Sequence, residues 1–170
     1  MIKDHDHSKF LIQRFDQYTE GANSKGNFLL AFNTFLCGFL LSSFNSVVSF
    51  GSKDFNSTVE VFLGVIVILG VISMFFTLRA VYPYLHTGNS SEKRYHSLVF
   101  FKSISEISTE DAFVKEYKEQ KEKKVGKDLA KQIYAVSKGL TRKYNRIKWA
   151  IWFIYPQLFF LIVILILKIV

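Results

Sequence analysis

The chain has 170 residues, 49% of them apolar and 21% charged, with a formal net charge of +8. This length allows one compact domain or a small membrane domain with a soluble part. A single cysteine, Cys37, excludes a disulfide framework and a metal site built on paired cysteines.

The apolar residues are segregated into three charge-free runs, Asn27 to Ser52, Val61 to Leu78 and Trp149 to Leu167. Each is close to the length of about 20 helical residues that crosses a hydrocarbon core of about 30 Å. The fold class expected is all-α, an integral membrane protein with three transmembrane helices and long amphipathic cytoplasmic helices. The competing reading is a soluble helical bundle with very apolar core helices. Residues 1–26 form the N-terminal amphipathic segment and 27–84 a transmembrane hairpin with spans near 27–50 and 60–82. A cytoplasmic helical segment (85–147) and a third span (148–170) follow. All but two of the 22 Lys and Arg, the exceptions being Lys53 and Lys168, lie before the first run or between the second and third. By the positive-inside rule the N-terminus and the central segment are cytoplasmic. The positive charge then orients the chain and attracts it to a lipid surface. Nucleic acid is not an expected partner, because the basic residues are not set among stacking aromatics.

The N-terminal string Asp4-His5-Asp6-His7 has metal-ligating residue types, but a terminus rarely converges them, and no metal is expected. Asp6 or Ser8 is placed to cap a helix whose apolar face is Leu11, Phe15, Tyr18 and Ala22. Gly21 and Gly26 soften its junction with the first span, at about 1 kcal/mol each. Within that span Asn33, Thr34, Ser42, Ser43 and Asn45 either face other helices or bond their own backbone. The long charged segment before it excludes a cleavable signal peptide. Gly51, Lys53, Asp54 and Asn56 mark an outer turn.

The second span ends at Leu78-Arg79, and Pro83 terminates or kinks it between the interfacial Tyr82 and Tyr84. Arg79 either snorkels to headgroups or meets an anion. His86 to Arg94, with Gly88-Asn89-Ser90-Ser91, is a polar turn. Ser97 to Phe101 is a short strand or a docking edge, and docking is expected because a lone strand lacks a partner. Ser108 and Asp111 match a capping box, starting a helix at Thr109 whose thin apolar face includes Ala112, Phe113 and Tyr117. Lys118 to Lys127 is either the exposed part of one helix or a turn between two.

From Val125 onward, Leu129, Ile133, Val136, Leu140, Tyr144, Ile147 and Ile151 recur at three- and four-residue spacings. This is a helical seam with an eleven-residue repeat, straight or slightly right-handed. It packs on the Leu11–Ala22 face and Phe100-Phe101, or on a second copy. Lys127, Asp128, Lys131, Lys138, Arg142, Lys143, Arg146 and Lys148 lie between seam positions. The third run is apolar but for Gln157, with Pro156 expected to kink it and Trp149, Trp152 and Tyr155 near the interface.

No nucleophile elbow, phosphate-cradling glycine loop or helically spaced His pair occurs; the histidines are His5, His7, His86 and His96. The expectation is a non-enzyme without a cofactor.

Several stretches follow one another in a suggestive order. They are Asn23-Ser24-Lys25 before the first span, Val81-Tyr82-Pro83 closing the second, and Phe100-Phe101-Lys102-Ser103-Ile104 and Ser108-Thr109-Glu110-Asp111 in the soluble segment. Asp128-Leu129-Ala130-Lys131-Gln132-Ile133-Tyr134 and Lys143-Tyr144 lead into the third span. Together they resemble the Pycsar transmembrane effector family, membrane effectors of bacterial anti-phage systems that signal with cyclic nucleotides. The resemblance covers nearly the whole chain. It implies activation by a cyclic pyrimidine mononucleotide, cyclic CMP or cyclic UMP, made by a partner cyclase on infection. Homo-oligomerisation and disruption of the inner membrane then arrest growth. The chain shows no cyclic-nucleotide-binding domain of the phosphate-binding-cassette type. Lys25, Arg79, Arg94, Arg142 and Lys143 are the candidate anion contacts, being basic and near the cytoplasmic face. The alternatives are a structural or assembly subunit of a membrane complex and an ion channel. The spans carry no ring-forming acid, which argues against a cation-selective pore.

Overall fold

In the computed structural model, residues 2–50, 55–82 and 97–169 are described, and every regular element among them is helical. Helix α1 runs unbroken from Ile2 to Ser42. It begins upstream of Asp6 and Ser8, so neither marks the helix start expected there. Gly21 and Gly26 do not interrupt it. Gly26 is instead a close approach to a second helix, since a Cβ there would lie 2.6 Å from Val81 Cγ2.

The first charge-free run is two helices rather than one. Ser43 leaves helical geometry (φ −99°, ψ 11°), and the short α2 spans Phe44–Ser49. The Ser42 hydroxyl donates to the Phe39 carbonyl, the local competition that lets serines weaken a helix end. Helix α3 covers Asn56–Val81, with Tyr82 as its extended C-cap. Helices α4 (Phe101–Ser105) and α5 (Glu110–Lys118) are short, and α6 is a single helix of 48 residues, Glu122–Ile169, that contains Pro156. Among the described residues, α3 and α6 are the helices long and apolar enough to cross a membrane. The turn expected at 86–94, with Arg94, lies outside the described residues, as do Lys53, Pro83, Tyr84, His86 and His96.

The chain forms two compact units. The first combines Met1–Glu20 with Pro83–Arg142. In it the segment from Ser97 docks on α6 and forms no strand: the Leu98 N–H donates to Asp128 Oδ2 at 3.0 Å. The Ser97 hydroxyl accepts from the Val99 and Phe100 amides, both at 3.2 Å. Ser97, Ser103, Asp128, Leu129 and Gln132 are buried. The buried edge of α6 therefore includes polar positions beside the apolar seam, where Ile133, Val136 and Leu140 are half-buried. The cap of α5 is Thr109 rather than Ser108, its hydroxyl accepting from the Ala112 amide at 3.3 Å. Of the two readings of Lys118 to Lys127, a turn between helices holds, but it falls before Glu122 and leaves Gly126 inside α6.

The second unit combines Gly21–Tyr82 with Lys143–Val170. Three helical stretches pack along two apolar clusters. Ala22 and Leu29 of α1, Ala80 of α3, and Ile147, Ala150 and Ile154 of α6 make the first. Leu36 and Leu40, Val59, Leu63 and Ile66, and Ile164 make the second. The residue order makes α3 antiparallel to its two neighbours. Lys168 joins the far end, donating from its buried ammonium to the Val48 carbonyl at 2.6 Å and to Asn56 Oδ1 at 2.9 Å. Large apolar side chains face outward on all three helices: Phe28 is 71% and Phe35 73% exposed, Ile68 61% and Phe159 62%. Such a surface is unfavourable in water and suits lipid.

Candidate functional site

Four cations gather at one end of the second unit. Asn23 and Lys25 follow the α1 turn that carries Ala22 into the first apolar cluster, and Lys143 and Arg146 precede Ile147 of that cluster on α6. Arg79 stands beside Ala80 at the end of α3.

Each cation is held by a neutral group. The Lys25 ammonium lies 5.6 Å from the centre of the Tyr144 ring. The Arg79 guanidinium lies 5.4 Å from that of Phe75. Arg146 Nη1 donates to the Arg79 carbonyl at 2.5 Å, where the carbonyl end of α3 favours a cation. Lys143 precedes the apolar run from Trp149 and is buried, donating to Asn23 Oδ1. That burial lowers its pKa from the ordinary lysine value, because desolvation disfavours the ammonium.

Two grooves open on these groups. Gly21, Ser24, Lys25, Phe28, Leu29 and Ile151 line one. Phe75, Leu78, Arg79, Tyr82 and Arg146 line the other. Each offers a cation beside aromatic or aliphatic surface, a combination suited to an anion that carries an apolar or ring-shaped body.

The candidate residues named from sequence are thus distributed. Lys25, Arg79 and Lys143 belong to this end of the second unit, with Lys25 and Arg79 in different grooves. Arg142 is an exposed α6 residue of the first unit. Arg94 lies outside the described residues. Arg146 is not among the candidates that the sequence singles out, yet it completes the Arg79 groove. Its signal lies in the spacing, since it sits one turn beyond Arg142 and close to the start of the apolar run.

Farther along the same helices is a second polar group, this one in the interior. Asn33, Ser73, Thr77 and Gln157 are fully buried. Asn33 Nδ2 donates to Ser73 Oγ at 3.1 Å and to the Leu29 carbonyl at 3.0 Å. Ser73 Oγ donates to the Ala150 carbonyl at 2.9 Å, tying α3 to α6. Asn33 thus takes the interhelical role open to polar span residues, whereas Ser42 bonds its own helix. No group of acidic, His or Cys side chains arranged to hold a metal occurs among the described residues.

A family model described as the Pycsar effector protein domain matches residues 7–169 of the chain. No curated protein and no solved structure matches it.

Proposed function

The chain belongs to the Pycsar effector family, a component of anti-phage defence, and from that premise we propose that it is a non-enzymatic effector that permeabilises the bacterial inner membrane. The match across residues 7–169 carries this reading. The two apolar helices and the outward aromatic surface of α1 support a three-span arrangement, with α1 and α2 together forming the first crossing. The distribution of Lys and Arg supports a cytoplasmic N-terminus.

The trigger is a cyclic pyrimidine mononucleotide, cyclic CMP or cyclic UMP, from a partner cyclase. Its phosphate is taken up at the basic end by Lys25, Arg79 or Lys143, assisted by Arg146, and its base rests on the adjacent aromatic surface. An anion there neutralises like charges held close together. The ligand can shift the equilibrium only through a difference in affinity between the resting and assembled forms. The responding change is homo-oligomerisation, followed by loss of the membrane barrier.

Calorimetry on the detergent-solubilised full chain tests the ligand. Cyclic CMP or cyclic UMP should bind, and Arg79→Ala or Lys25→Ala should weaken binding by about 1.5–3 kcal/mol, the range for hydrogen bonds to charged groups. Equal binding by both variants would remove the basic end from the site, and no binding of either nucleotide would remove direct sensing.

A further inference from the structure

The interior polar group has a property that helix packing alone does not explain. It lies between two apolar clusters, with Leu29 and Ile154 on one side and Leu36, Ile66 and Ile164 on the other. Asn33, Ser73 and Gln157 are completely buried there. Two of their acceptors, Asn33 Oδ1 and Gln157 Oε1, have no hydrogen-bond partner among the described residues. Gln157 Nε2 makes a long bond of 3.3 Å to the Ile66 carbonyl.

Gly70 brings these atoms together. A Cβ on Gly70 would run into Cys37 Sγ, would lie 2.8 Å from Gln157 Nε2, and would come within 3.6 Å of Asn33 Oδ1. All three helices thus present polar atoms to one level, packed close only because position 70 has no side chain.

A bundle built solely for stability would carry apolar residues here, since a buried network left partly unsatisfied is worse than an apolar core. Water reaching this level would satisfy both acceptors. The same residues therefore disfavour the closed bundle relative to a hydrated one, and they interrupt an apolar stretch that would otherwise resist wetting. We infer that Asn33, Ser73 and Gln157 form the layer at which water, and small ions with it, penetrates the three-helix bundle, and that Gly70 lets the layer close at rest. The inference rests on the membrane-permeabilising reading above and names the residues that carry it out.

Cys37 is the chain's one thiol, it is buried, and it borders this layer, so it reports wetting directly. The full-length protein is reconstituted in phosphatidylglycerol-containing vesicles loaded with a self-quenching dye. Cys37 is probed with a charged, water-soluble methanethiosulfonate, with and without cyclic CMP or cyclic UMP. Gln157→Leu and the near-isosteric Gln157→Met should slow Cys37 modification roughly tenfold, the order expected when one orphaned polar group is removed. Both should reduce nucleotide-triggered dye release, with a thermal midpoint at or above that of the wild type. Modification of Cys37 at the wild-type rate in both variants would overturn the inference. Absence of dye release from the wild type with either nucleotide would instead count against the proposed function. The labelling comparison without nucleotide still decides the layer.

Discussion

Gly26 and Lys143 show how single positions fix the basic end of the second unit. Gly26 leaves room for Val81 Cγ2 and Thr77 Cγ2 on α3. Gly26→Leu should lower the thermal stability of the solubilised protein by about 1–3 kcal/mol, the usual range for overpacking. Gly21, which has open space around its missing Cβ, should accept Gly21→Ala without loss. Lys143 has its pKa lowered by burial. Between that lowered value and the ordinary lysine value, the unfolded chain binds the proton more than the folded one. Stability should therefore rise as pH increases through this window. Thermal melts across alkaline pH should show the rise in the wild type and a smaller one in Lys143→Met. At this scale the sequence is partly legible. Asn33 stands out as a polar residue in an apolar run and Gln157 as the one interruption of another. Ser73 and Gly70 give no signal, because a small residue in a span is ordinary until three helices converge on it.

Among the elements, α6 is the most legible and the first charge-free run the least. Hydrophobic periodicity predicts a helix from Val125 to the C-terminus, and α6 runs from Glu122 to Ile169. Periodicity locates an apolar face but not the partner that covers it, so by pattern alone the buried Asp128 and Gln132 look like surface decoration. Asp128 is covered by the segment from Ser97, whose Leu98 amide donates to it. Asp128→Ala should leave that amide unpaired, destabilising the Ser97–Ser105 region by about 1–3 kcal/mol, while Asp128→Asn retains an acceptor and loses less. Hydrogen exchange of the 97–105 amides distinguishes the two. The break at Ser43 is hidden because serine is tolerated both inside apolar helices and at their ends. The cap of α5 can be checked in the same way. Thr109→Ala should weaken α5 by about 1 kcal/mol, and Ser108→Ala by less than about 0.5 kcal/mol.

For the whole molecule, segregation of charge from apolar residues is enough to point to the all-helical class, and the family follows from the order of short stretches rather than from one motif. Oligomer number and ligand identity are not encoded in periodicity or net charge, because both depend on surfaces that meet another molecule. Three features combine in one chain: a basic end suited to an anion, a lipid-compatible outer face, and a polar interior that favours wetting. Dye uptake by bacteria expressing the chain together with a pyrimidine nucleotide cyclase tests the resulting claim most directly. Dye uptake and growth arrest are predicted when the cyclase is active, and neither when it is inactivated by mutation or expressed alone. Uptake that is independent of the cyclase, or intact membranes in cells that accumulate cyclic CMP and cyclic UMP, would contradict it.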